Sequence, residues 1–201
     1  MRTLFACLAL TAACYAHAGA QVYETLADSV RAGLRASIAD RPAPRHAFSN
    51  SMEAVNWLTV MSQRLERRMP NLGTRLEFLR TVHYEAARAG LDPQLILALI
   101  QVESNFRKYA LSSAGARGYM QVMPFWVGLI GKKGDNLFSL RTSLRFGCVI
   151  LRHYLDTENG DLSRALGRYN GSLGKPAYPN LVLATLRNGW HYQPERADPV
   201  S

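Results

Sequence analysis

The sequence has little cysteine and, after its first twenty residues, no long hydrophobic run. Two of its three cysteines, Cys7 and Cys14, lie in that first stretch. The single thiol left, Cys148, has no partner within its own chain, which excludes a disulfide scaffold. Cys148 lies among apolar residues, which is typical of a small buried apolar side chain and not of a nucleophile. A membrane-spanning helix needs about 20 apolar residues, and we expect none in residues 21–201.

The sequence also has few lysines and few patterns typical of metal binding. Only four of the 24 basic residues are lysines, and with 15 acidic residues the formal net charge is +9. This balance favours a polyanionic partner, of which nucleic acid, anionic lipid and an acidic cell-wall polymer are the candidates. Because the charge is spread along the chain and not gathered in one block, we expect no nucleic-acid binding. The five histidines are scattered, so the sequence predicts neither a metal site nor a cofactor.

The first twenty residues have the order of a signal peptide. Arg2 precedes an apolar run over residues 4–14, and small residues follow. The run is too short to span a bilayer, and we expect cleavage after Ala18 or Ala20. The sequence therefore predicts an exported, periplasmic protein. An alternative interpretation makes residues 11–14 a lipobox, in which case the protein is lipid-anchored through Cys14.

The pattern of apolar residues predicts an all-α fold. Apolar residues recur at spacings of three and four, and no clean alternation typical of a strand occurs. Helices are predicted over residues 23–39, 52–68, 74–89, 93–104, 120–130, 143–154, 163–169 and 182–188. We expect four units: a signal peptide over 1–20, an N-terminal helical appendage over 21–73, a helical domain over 74–190 and a tail over 191–201. The appendage is expected to pack against the domain, and a surface for cell-envelope protein partners is the alternative.

Glu103 breaks the apolar pattern of the most hydrophobic helix. Asp92 and Pro93 are a strong start signal for this helix, and Glu103 shares a face with Ile96 and Ile100. Burial raises the pKa of a carboxyl group, and a carboxylic acid that stays protonated near neutral pH is suited to general acid catalysis. A buried glutamate that caps the following turn is the structural alternative.

The residues after Glu103 form an ordered motif. The motif comprises Glu103-Ser104-Asn105-Phe106, Ala110, Ser112, Gly115-Ala116, Gly118, Met120-Gln121, Met123-Pro124 and the later Tyr169-Asn170-Gly171. This pattern resembles the soluble lytic transglycosylase family, the lysozyme-like enzymes that cleave peptidoglycan. The resemblance covers roughly residues 75–190 and implies a lysozyme-like all-α domain.

The resemblance also implies roles for individual residues. Glu103 is expected to be the sole catalytic acid and base, and Ser104 helps to fix the end of its helix. Tyr169 is expected to orient Glu103 or to stabilise developing charge. The side chain of Gln121 offers a donor and an acceptor to an N-acetyl or hydroxyl group. The substrate-binding residues so predicted are Ser104, Ser112, Met120, Gln121, Met123, Tyr169 and Asn170, although methionines at such positions are more often core residues.

The implied reaction cleaves the bond between N-acetylmuramic acid and N-acetylglucosamine and closes a 1,6-anhydro ring. Hydrolysing glycosidases ordinarily need two carboxylates, and no acidic residue lies between Glu103 and Asp135. This gap favours the transglycosylase reaction, with peptidoglycan glycan strands as the partner. A goose-lysozyme-like hydrolase whose second carboxylate is distant in sequence is one alternative, and a non-catalytic cell-wall-binding module is another.

Overall fold

The computed structural model describes residues 21–39 and 51–193. The predicted signal peptide and most of the predicted tail lie outside these residues. The described part of the chain is α-helical, which confirms the all-α prediction, and its extended residues form only isolated bridges around Arg117. The helices are α1 Asp28–Ile38, α2 Ser51–Leu65, α3 Leu72–Arg88, α4 Pro93–Ser104, α5 Phe125–Ile130, α6 Leu140–Thr157, α7 Leu162–Asn170 and α8 Ala177–Thr185, which continues as a π-helical turn, Leu186–Trp190.

Helix α4 is the centre of the domain. The Asp92 side chain accepts a hydrogen bond from the backbone N–H of Gln94 at 2.8 Å, and Pro93 is the first helical residue. The helix packs against α3, α8 and the π-helical turn, and all its residues from Leu95 to Ile100 are buried. The predicted bounds of this helix are those observed.

The predicted helix over 120–130 is wrong in its first half. Helix α5 begins only at Phe125, because the preceding backbone bonds elsewhere. Val122 and Arg117 exchange both backbone hydrogen bonds, at 3.0 and 3.1 Å, and Gln121 has a left-handed backbone with φ of 48°. Residues 119–123 are therefore an irregular turn, here called the 119–123 turn, that crosses next to the end of α4.

The N-terminal helices pack against the rest of the chain. Helix α1 lies against α5 and α6, and α2 lies against α3 and the π-helical turn. The Arg88 guanidinium donates to the carbonyls of Ser37 and Ala39 at 3.0 and 2.8 Å, which fixes the end of α1 to α3. Trp57 and Met61 of α2 are buried in the common core. The boundary of the appendage at residue 73 stays a prediction.

Within the described ranges, every helix is too short or too polar to cross a membrane.

Candidate active site

Glu103 lies in the last turn of α4 and is 6% exposed. The helix ends there because Asn105 adopts a left-handed conformation with φ of 47°. The hydroxyl of Ser104 donates to the carbonyls of Ile100 and Tyr119, at 3.1 and 2.7 Å. Ser104 therefore joins the end of the helix to the 119–123 turn, the structural role expected of it. Because its buried hydroxyl is used in this way, a direct contact of Ser104 with substrate has no support from the geometry.

Burial decides the protonation of Glu103. Removal of the carboxyl group from water raises its pKa to about 8, and a hydrogen bond from the Tyr178 hydroxyl to Oε1 of Glu103 opposes this rise. The rise from burial is the larger effect. Near neutral pH the side chain therefore holds a proton that it can donate to a leaving group.

Tyr178 is the residue at this site that sequence reasoning missed. It lies in the first turn of α8 and is buried. Helix α8 packs against α4, which brings the Tyr178 hydroxyl to a carboxyl group 75 positions earlier in the chain. A tyrosine between Pro176 and Pro179 is a visible feature of the sequence, but nothing in the local pattern links it to Glu103.

Tyr169 has a different partner from the one expected. Its hydroxyl donates to the carbonyl of Met120 at 2.7 Å, so the direct hydrogen bond to Glu103 comes from Tyr178 and not from Tyr169. The pKa of Tyr169 is raised well above its ordinary value by burial and, secondarily, by the charge of Glu103. Through its hydrogen bond to Met120, Tyr169 anchors the 119–123 turn.

Gln121 supports the turn with its own side chain. Its Nε2 donates to the carbonyls of Ala110 and Gly118, at 3.1 and 2.9 Å. Both amide hydrogens are thereby used within the protein. Gly118 has a φ of 75°, and a Cβ there would lie 2.2 Å from the carbonyl oxygen of Leu137, so only glycine fits this close approach.

The other predicted substrate-binding residues divide into buried and half-buried positions. Met120 is fully buried against Gly147, where a Cβ would lie 2.4 Å from the Met120 sulfur. Met120 is therefore a core residue packed against α6. Ser112 is half-buried, and its Oγ accepts from the backbone N–H of Ala116 at 3.0 Å. Met123 is also half-buried, and Asn170 is buried at the end of α7.

Two further carboxyl groups are buried in the described part of the chain, Glu85 and Glu158. Glu85 is ion-paired with Arg88 and Arg145. Glu158 is bonded by two arginines of α7, Arg168 above all, which hold its pKa below the ordinary value. Glu103 differs from both because its bonded partner is a neutral phenol. In these same residues, no group of three or more histidine, cysteine or acidic side chains is placed to hold a metal ion.

Part of the chain is similar in sequence to known proteins. Residues 80–177 match the family model of the transglycosylase SLT domain. A transglycosylase of Enterobacteria phage PRD1 is 29% identical over 118 residues, which are 55% of this chain and 43% of the relative. A membrane-bound lytic murein transglycosylase C of Yersinia pestis is 34% identical over 114 residues, which are 49% of this chain and 32% of the relative.

The chain thus spans less than half the length of these curated relatives. A solved structure of an inactive mutant of lytic transglycosylase Slt from Pseudomonas aeruginosa aligns with 66% of this chain and 25% of its own, at a TM-score of 0.44 and 21% identity. The matched family region contains Glu103, the 119–123 turn and Tyr169. Residues 80–177, which are 98 of the 201 residues, are similar to the transglycosylase SLT domain family.

Proposed function

We propose that this protein is a peptidoglycan lytic transglycosylase in which Glu103 is the catalytic acid and base. The observation that carries the proposal is a buried carboxyl group, with its pKa raised to about 8, inside the matched transglycosylase domain. The relatives named above are themselves transglycosylases. Peptidoglycan glycan strands are the proposed substrate.

The proposed reaction needs one carboxyl group that gives up a proton and takes one back. Protonated Glu103 donates its proton to the glycosidic oxygen between N-acetylmuramic acid and N-acetylglucosamine, and the bond from that oxygen to C1 breaks. The Glu103 carboxylate then accepts the proton of the muramoyl C6 hydroxyl while O6 bonds to C1. The acid is regenerated, and the product carries a 1,6-anhydro ring.

Tyr178 assists at the stage in which Glu103 is ionised. Its hydroxyl bonds to Oε1 of Glu103, and a hydrogen bond to a carboxylate favours the charged form. The reaction passes through an oxocarbenium-like state at C1. Among the described residues, every buried carboxylate other than Glu103 is paired with arginine. The substrate's own N-acetyl group therefore supplies that stabilisation, as in substrate-assisted enzymes.

The predicted substrate-binding residues fall into two groups, those that contact the sugar and those that act through other residues. Ser112, Met123 and Asn170 are proposed to line the sugar site. Ser104, Met120, Gln121 and Tyr169 are proposed to act through the 119–123 turn that they hold in place.

The proposed location is the periplasm, with export directed by residues 1–20. The similarity to a relative named as membrane-bound supports a place at the cell envelope. Lipid anchoring through Cys14 is the alternative form of the same location.

Mass spectrometry of the muropeptides released from purified peptidoglycan tests the function. We expect 1,6-anhydromuramoyl ends from the wild-type protein and none from Glu103→Gln. Glu66→Gln, the same change at a carboxylate that is largely exposed, is the matched control and should behave as the wild type. Reducing ends would instead show a hydrolase, and the absence of any release from the wild type would favour a cell-wall-binding module.

A further inference from the structure

The side chain of Gln21 is inserted against the 119–123 turn. Its Nε2 donates to the carbonyl of Gln121 at 3.1 Å, and its Oε1 accepts from the backbone N–H of Met123 at 2.9 Å. Gln21 is only 4% exposed. The carboxamide of a residue about a hundred positions away in sequence thus hydrogen-bonds to both the Gln121 carbonyl and the Met123 N–H.

The residues directly after Gln21 contribute little apolar burial. The next two residues, Val22 and Tyr23, are 59% and 58% exposed. Tyr23 makes an edge contact with Phe125, with ring centroids 5.5 Å apart, and Glu24 forms a partly exposed ion pair with Arg168 at 2.8 Å. Exposed ion pairs add little stability. The nearest apolar anchor of this segment is Leu26, which is buried in the core five positions after Gln21, so the two hydrogen bonds of the carboxamide are the direct attachment of Gln21 to the turn.

The remaining carbonyls of the turn are held from inside the family domain. Ser104 donates to the carbonyl of Tyr119, and Tyr169 donates to that of Met120. The carbonyl of Gln121 and the N–H of Met123 are bonded by a residue outside the matched range 80–177. Removal of Gln21 would therefore leave one acceptor and one donor open beside a turn that Ser104 ties to the end of α4.

One acceptor and one donor are what a carboxamide ligand needs. The acetamido group of an N-acetylated amino sugar carries the same complement, one C=O acceptor and one N–H donor. Both sugars of the proposed substrate carry such a group. The Gln21 side chain is thus a chemical mimic of the group that the proposed substrate presents.

We propose that Gln21 occupies an acetamide-binding position of the sugar site and that the substrate's acetamido group displaces it. This inference rests on the proposed function for the identity of the sugar. Chains with Gln21 in place are not competent to bind at this position, so the apparent dissociation constant equals the intrinsic one divided by the fraction of chains from which Gln21 is displaced. The segment that begins at Gln21 is therefore an internal competitor of the glycan.

The test is calorimetric binding of a short N-acetylglucosamine oligomer to the full chain carrying Glu103→Gln, which prevents turnover. Adding Gln21→Ala should tighten binding about threefold or more, since every molecule is then competent. Val22→Ala, an exposed neighbour, should leave the dissociation constant unchanged. The deacetylated glucosamine oligomer should show no gain from Gln21→Ala, because it lacks the acetamido group.

Gln21→Glu guards against a folding defect in the alanine variant. It has nearly the same size and keeps the acceptor for the Met123 N–H, but it places a carboxylate oxygen against the Gln121 carbonyl where the wild type has a donor. It should also tighten binding of the acetylated oligomer. Unchanged or weaker binding in both Gln21 variants would overturn the proposal, as would an equal gain with the deacetylated oligomer or no oligomer binding in any variant.

This readout is separate from catalysis. Tighter binding by the Gln21 variants, together with no release of anhydromuropeptides by the wild type, would contradict the proposed reaction and support competition by Gln21. Release of anhydromuropeptides with no gain in binding would support the reaction and overturn the competitor.

Discussion

Glu103 and Glu85 are both buried, but they have different partners. Glu85, on α3, is 1% exposed and lies 2.8 Å from Arg88 and 3.0 Å from Arg145. These guanidiniums also bind carbonyls at the end of α1, so the cluster joins α1, α3 and α6. Glu103, on α4, has the Tyr178 hydroxyl as its bonded partner. Burial is common to both residues, and the partner decides whether the carboxyl group serves as a structural anion or as a store for a proton.

Glu103→Gln should give the largest effect on activity. The amide can accept the Tyr178 hydrogen bond, but it cannot donate a proton to a leaving group. We expect the rate of peptidoglycan cleavage to fall at least about 10³-fold, roughly 4 kcal/mol in the activation barrier, with the helical circular dichroism unchanged. Cleavage by this variant at more than a tenth of the wild-type rate would remove Glu103 from the mechanism.

Glu85→Gln should give the largest effect on stability. It leaves the largely buried guanidiniums of Arg88 and Arg145 without their carboxylate. This change lowers the free energy of unfolding by about 3–5 kcal/mol. Denaturant unfolding should show this loss, whereas Asp156→Asn, at the more exposed ion pair with Arg152 on α6, should cost about 1 kcal/mol or less. Activity per folded molecule should survive Glu85→Gln, because the cluster does not include the residues bonded to Glu103. Loss of activity without loss of stability would break the comparison.

The sequence predicted one side of this comparison better than the other. Glu103 was identifiable because it interrupts the apolar face of a helix whose start is signalled by Asp92 and Pro93. The partners of Glu85 were not, since Arg145 lies 60 positions away and its distance depends on how α6 packs on α3. Tyr178 was missed for the same reason, because side-chain pairing across helices is a property of packing and not of local pattern.

The stability of the protein should depend on pH through Glu103. Its folded pKa is about 8 against an ordinary value of 4.5, so the folded state holds a proton that the unfolded state has released within this window. Wild-type stability should therefore fall between pH 4.5 and pH 8, by on the order of a few kcal/mol. Glu103→Gln removes this dependence, so its advantage in melting temperature over the wild type should grow across the same window. A constant difference would mean that Glu103 is ionised in the folded protein at neutral pH.

Tyr178→Phe should give the smallest effect. The variant loses one hydrogen bond to a charged intermediate, which corresponds to a roughly tenfold fall in rate. The hydrogen bond from Tyr178 lowers the pKa of Glu103, so its removal should move the alkaline limb of the pH–rate profile upward. Tyr169→Phe is the matched control, since its hydroxyl bonds to the Met120 carbonyl. The same displacement of the limb in both variants would show that Tyr178 has no special link to the acid.

The 119–123 turn marks the limit of helix prediction in this sequence. Its residues Met120 to Met123 are apolar or helix-compatible, so a helical interpretation is reasonable from composition. In the fold, the carbonyls of Tyr119 and Met120 are taken by Ser104 and Tyr169, and such long-range partners outweigh local propensity. The motif indicated that these residues belong to one site, but most of them hold the turn rather than face a ligand.

The protonation state of Glu103 is the central claim, and infrared difference spectroscopy measures it directly. The carboxylic acid band that is present in the wild type and absent from Glu103→Gln should be followed as a function of pH. We expect this band to persist at neutral pH and to disappear with a midpoint near pH 8. A midpoint near 4.5, the ordinary value for glutamate, would contradict the account.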